Sequence, residues 1–194
     1  MTTEPDTPDT GAQYAAVIDH CRRLFETKLA QYGPAWRMFR LVSVVDQIYI
    51  KARRIRQIEG MSGAPRVADS IEDEYAGILN YAVMSIWHVE TGDLDLPEDP
   101  DDLAFEPMWS DPVAAGRRFL EVTDRAAALL AAKNHDYGEA WRDMAMESLT
   151  DEVLSRTVRI KSLLATDLPD LRRVDSQLVD VINYAAFALV RLRD

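Results

Sequence analysis

Residues 32 to 37 read Y-G-P-A-W-R and residues 137 to 142 read Y-G-E-A-W-R, so Tyr32, Gly33, Ala35, Trp36 and Arg37 return as Tyr137, Gly138, Ala140, Trp141 and Arg142 at an offset of 105. At that offset the stretch from Lys28 to Glu59 carries further identities at Lys28/Lys133, Ser43/Ser148, Asp46/Asp151, Arg54/Arg159 and Ile55/Ile160. Average residue usage would produce roughly two identities over such a length. A slightly shorter loop then brings Asn80, Tyr81 and Ala82 over Asn183, Tyr184 and Ala185. The chain reads as a tandem duplication, and the repeated element marks the same turn in both copies.

Working outward from the turn, each copy shows helical periodicity. Val17, Cys21, Leu24, Phe25 and Leu29 recur at helical spacing and predict a helix from about Tyr14 to Ala30, which Tyr32-Gly33-Pro34 ends. A second helix is predicted from Ser43, its expected cap, to Glu59, with Ile48, Ala52 and Ile55 facing the core. A third runs from Asp69 or Ser70 to about Glu90, with Ile71, Tyr75, Ile78, Leu79, Ala82 and Ile86 on one face and Gly77, Met84 and Trp87 on the other. The pattern restarts with helices over about 112–132, 150–164 and 174–193. A helix that is apolar on two sides packs on two sides, and its twin is the natural cover. The expected fold is all-α, a tandem duplication of a three-helix unit forming one pseudo-two-fold six-helix domain. Residues 1–12 read as a disordered tail, 13–90 as the first repeat, 91–112 as an acidic, proline-rich linker and 113–194 as the second repeat.

The net charge of −11 argues against a protein that coats nucleic acid through its overall field, so no strong nucleic-acid binding is expected beyond what a local basic patch would give. No segment approaches the roughly 18 apolar residues of a membrane span, so no membrane partner is expected. The single cysteine, Cys21, forms no internal disulfide and reads as a buried thiol. These features point to a cytoplasmic protein. Internal pseudosymmetry suits a monomer, and a homodimer is also compatible.

Several residues carry chemical potential. Tyr32, Trp36 and Arg37, with Tyr137, Trp141 and Arg142, have a structural use in the turn, yet such residues also stack a base and grip phosphate. Lys51, Arg53, Arg54 and Arg56 crowd positive charge onto the second helix of an acidic chain, spread too far around it to meet one ligand together. Lys51, Arg54 and Arg56 are the expected phosphate contacts. Glu59 falls about 20° from Ile48 on the helical wheel, so its carboxylate must be paired, protonated or bound to metal. Its counterpart is Leu164. Asp69, Asp73 and Glu74 open the third helix, where acids complement the helix dipole and can also hold Mg²⁺. Asn80 and Asn183 read as a buried pair hydrogen-bonded across the pseudo-two-fold, or as ligand contacts. Asp180, opposite Gly77 in the alignment, is a second semi-buried acid. The expected catalytic set is Glu59, Asp69 and Glu74. The expected metal set is Glu59, Asp69, Asp73 and Asp180. Tyr32, Trp36, Arg37, Lys51, Arg54, Arg56, Asn80, Tyr137, Trp141 and Arg142 form the expected substrate contacts.

The patterns C-R-x-L-F-x-x-K at 21–28, Y-G-x-A-W-R-x-x-R at 32–40, D-Q-I-Y-I-K-A-R-R-I-R-x-I-E at 46–59 and G-I-L-N-Y-A-V-M at 77–84 resemble the nucleotide modification associated domain 1 family. K-N-H-D-Y-G-E-A-W-R-D-M at 133–144 and D-V-I-N-Y-A-A-F-A-L at 180–189 extend the resemblance to the second half. It implies a nucleotide-related role without an assigned reaction. Ala145, Arg156, Leu164 and Arg172 depart from the family's second-repeat pattern, which puts the expected site in the first repeat. A fainter, fold-level similarity is to MazG-like all-α nucleoside triphosphate pyrophosphatases, through Gln177 and Asp180. The expectation is a protein that binds, and with Mg²⁺ hydrolyses, a nucleotide or phosphorylated metabolite. The alternative is a non-enzymatic helical module that senses nucleotides or binds a protein.

Overall fold

Helices form where the apolar residues recur every three or four positions, and their ends are set by side chains that satisfy the free backbone donors. The computed structural model describes residues 9–62, 70–92 and 111–194. Within them lie α1 (Thr10–Tyr32), α2 (Leu41–Glu59), α3 (Ile71–Thr91), α4 (Pro112–Tyr137), α5 (Met146–Leu164) and α6 (Leu171–Arg193). Among the described residues the structure is all helical. Residues 1–8 of the predicted tail, 93–110 of the predicted linker and Asp69 lie outside the described residues.

Asp9 accepts a hydrogen bond from the Ala12 amide and starts α1 earlier than its apolar stripe indicates, so residues 10–12 are helix and not tail. Ser70 and Asp73 form a reciprocal capping box at α3, which leaves Asp73 accepting from the Ser70 amide and hydroxyl. The expected cap Ser43 lies inside the first turn of α2, as its twin Ser148 does in α5. The residues at the caps are Arg40 and Ala145, neither with a capping side-chain bond. The chain leaves a 3₁₀ turn (Ala35–Met38, Ala140–Asp143) extended and enters the helix at once. The Ser43 and Ser148 amides then bond back to Arg40 and Ala145, at 2.8 and 3.0 Å. α4 continues past the predicted end at Ala132 to Tyr137, because the chain first takes a positive φ at Gly138.

The two turns are conformational copies. Gly33 has φ 63° and ψ −165°, and Gly138 has φ 62° and ψ −160°. This region is open in practice only to glycine.

Each element packs against its own twin, as an isologous arrangement requires: α1 on α4, α2 on α5, and most extensively α3 on α6. Matching ion pairs report the same relation. Asp46 meets Lys161 at 2.6 Å, and their twins Asp151 and Arg56 meet at 3.5 Å. α3 and α6 form the centre, buried through Tyr75, Ile78, Leu79 and Val83 on one and Val181, Ile182, Ala185 and Leu189 on the other. Among the described residues no helix is long and apolar enough to cross a membrane.

The asparagines do not bond to each other. Asn183 accepts from the Tyr14 hydroxyl at 2.8 Å and donates to the Ala126 carbonyl at 3.1 Å, tying α6 to α1 and α4.

Candidate functional site

The end of α1, the middle of α2 and the first half of α3 enclose a cavity of about 330 Å³ lined by Phe25, Lys28, Lys51, Glu74, Gly77 and Asn80, among others. A second cavity of about 220 Å³ adjoins it, sharing Phe25, Lys28, Tyr81 and Met84 and reaching Tyr32, Trp36 and Phe39. The first-repeat groove is therefore charged at one end, where Lys28 and Lys51 stand with Asp73 and Glu74, and aromatic at the other.

Lys51 enters over Gly77, where an added Cβ would stand 2.6 Å from Lys51 Cε. From there its Nζ reaches Glu74 Oε2 at 3.0 Å, while the Arg54 guanidinium engages Oε1. Glu74 is only 3% exposed, and both its oxygens are taken. Burying a carboxylate is tolerated here because two cations that remain partly in water neutralise it. Lys28, on the same cavity, forms no ion pair or hydrogen bond with any described residue.

Asn80 is also unfinished. It is 5% exposed and its Oδ1 receives no hydrogen bond. The twin arrangement explains why. Asn183 is satisfied by Tyr14 on α1, and the residue equivalent to Tyr14 on α4 is Phe119, which has no hydroxyl to give. A buried acceptor left this way costs about 1–3 kcal/mol.

The second groove, about 240 Å³, repeats the aromatic frame with Tyr137, Trp141, Tyr184 and Phe187. Its polar end is different. Asp180 stands at the position of Gly77 and accepts from Lys133 Nζ at 2.8 Å, with Arg156 Nε 3.3 Å from its other oxygen. Gln177 replaces Glu74. The acid has thus moved one helical turn, and the twin of Lys28 is neutralised.

The other expected residues are dispersed. Trp36 and Trp141 are 8% and 7% exposed and serve as groove walls, Trp36 against Trp87 and Trp141 stacked on Phe187 at 4.5 Å. Tyr32 and Tyr137 sit at the rims, 72% and 77% exposed. Arg37 is buried, its guanidinium 5.6 Å from the Trp36 ring centre. Arg142 lies over Trp141 and bonds Glu139, Thr10 and Gln13, fastening the start of α1. Arg56 is committed to Asp151 of the other repeat.

Glu59 faces the seam between repeats. Thr150 Oγ1 donates to it at 2.6 Å and in turn lies 2.7 Å from the Tyr75 hydroxyl. Burial raises the Glu59 pKa; the Thr150 hydrogen bond opposes this, and Glu147 and Asp151 add to it. Burial also pushes Tyr75 up to about 12. The Ser70 hydrogen bonds hold Asp73 below the usual carboxylate range. Of the expected metal set, Glu59, Asp73 and Asp180 occupy three separate places. Among the described residues no three His, Cys, Asp or Glu side chains gather as a metal site would need. Cys21 is a buried thiol, raised to about 12 by burial.

Lys28, outside the expected substrate contacts, lies on both cavities of the first repeat. Its signal was present in the sequence, since it recurs as Lys133 just ahead of the repeated turn. A family model described as nucleotide modification associated domain 1 matches residues 28–89 and 133–192, one segment in each repeat. Comparison with curated proteins and with solved structures gives no match.

Proposed function

The chain belongs to the nucleotide modification associated domain 1 family, and from that premise we propose that its first repeat binds a nucleotide or a related phosphorylated small molecule in the groove between Lys28 and Tyr32. The observation that carries this reading is Lys28, a cation on the cavity that forms no ion pair with any described residue, where its twin Lys133 is neutralised by Asp180. Phosphate oxygens would take the place that the Asp180 carboxylate holds in the second repeat. The ring would lie in the adjoining aromatic part, among Tyr32, Phe39 and Tyr81. Glu74 holds Lys51 in place at the edge of the same cavity.

A binding or sensing role is favoured over hydrolysis by one specific observation: Glu74 has both oxygens engaged by Lys51 and Arg54, so it is not poised as a base. Hydrolysis would further require Mg²⁺ carried in on the phosphates, for which Asp73 is the remaining carboxylate on the cavity wall.

The test is a calorimetric titration with nucleoside mono-, di- and triphosphates, with and without Mg²⁺. Binding is expected in the wild type. Lys28→Met should weaken it about tenfold, the value of one charge-assisted hydrogen bond, without changing the melting temperature, because Lys28 is exposed and forms no ion pair or hydrogen bond with a described residue. If no phosphorylated compound binds, or if K28M binds them all equally well, the reading is wrong. Phosphate or pyrophosphate release in the same samples separates a hydrolase from a sensing module.

A further inference from the structure

The two grooves share a frame and differ at the end where phosphate would sit. We propose that the second groove is a separate site for the unphosphorylated ring, an uncharged nucleobase or nucleoside, with Asp180 as the residue that shuts phosphate out. The ligand class rests on the reading of the first groove. The discrimination rests on the second groove's own geometry.

Two observations carry it. The walls are aromatic through Tyr137, Tyr184 and Phe187, and every base presents a face that such walls can stack. The phosphate end is closed from within. Asp180 is held 2.8 Å from Lys133 and 3.3 Å from Arg156, so the cations that could meet a phosphate are already spent on a carboxylate, and a phosphate would arrive beside a like charge.

The experiment uses the full chain carrying Lys28→Met, which weakens phosphate binding in the first groove about tenfold, and titrates it with adenosine, guanosine, cytidine and uridine and with their monophosphates. At least one nucleoside is expected to bind K28M more tightly than its monophosphate does. Adding Tyr137→Ala, a change at an exposed rim residue, should weaken that nucleoside about tenfold, the worth of a stacking contact. Adding Asp180→Gly, which places the first repeat's residue at that position, or the isosteric Asp180→Asn, should tighten the monophosphate. The nucleoside should be held as before. The proposal is overturned if no nucleoside binds K28M more tightly than its monophosphate, if Y137A leaves its affinity unchanged, or if folded D180G and D180N both leave the monophosphate no tighter. Failure of the first-groove reading is seen elsewhere, in equal nucleotide affinity of wild type and K28M.

Discussion

Lys51 reaches Glu74 because residue 77 has no side chain, and one residue decides the polar end of each groove. Glycine at 77 lets the lysine stem cross α3. Aspartate at the twin position 180 supplies a carboxylate that neutralises Lys133. Glu59 belongs to the same scale and answers to a pH test. Its pKa is raised in the folded state, chiefly by burial. A carboxyl raised on folding contributes stability below its unfolded value of about 4.3 and loses that contribution as pH climbs through the folded value. Glu59→Gln keeps an oxygen for Thr150 to donate to and has no charge to bury. The variant should therefore melt above the wild type at about pH 7, with the gap closing towards about pH 4. Thermal unfolding across that range measures it, and a variant that melts below the wild type at neutral pH would refute this account of Glu59.

At the scale of elements, the repeated turn is a fixed piece of geometry. The helices before it end at Gly33 and Gly138, both in a backbone region that side chains avoid, and the walls Trp36 and Trp141 follow three residues later. Gly138→Ala should cost about 1–3 kcal/mol, although nothing within 4 Å would touch the new methyl group. Gly33→Ala should cost a similar amount, since the two turns share their dihedral angles. Denaturant midpoints of the two variants provide the check. A loss at one turn alone would mean that the copies are not equivalent. The apolar period made the six helices legible in the sequence and placed α3 and α6 at the centre. The start of α2 and the end of α4 were less legible, because a 3₁₀ turn or a glycine bounds them where a capping serine or a change of period was expected.

For the whole molecule, the pairing of α3 with α6 makes each repeat the cover of the other. Unfolding of the full chain should show one cooperative transition, and a fragment ending at residue 92 should lack it, since α3 would expose residues that are now fully buried, including Tyr75, Ile78 and Ala82. Calorimetry of both chains decides this, and a fragment with its own sharp transition would show two independent bundles. The sequence by itself determined the duplication, the helical class and the presence of basic, acidic and aromatic residues on the helices of the first repeat, because identity at a fixed offset and a 3.6-residue period are properties of the chain alone. Only the tertiary structure decided which charges are spent. Neutralisation of Glu74 by Lys51 and Arg54, of Asp180 by Lys133, and commitment of Arg56 to the opposite repeat depend on distances between helices far apart in the chain. The orphaned oxygen of Asn80 depends on less still, a phenylalanine at 119 where the twin helix has the hydroxyl of Tyr14. Periodicity records which face of a helix is apolar, whereas the state of a polar group is set by the few ångströms between it and its nearest partner.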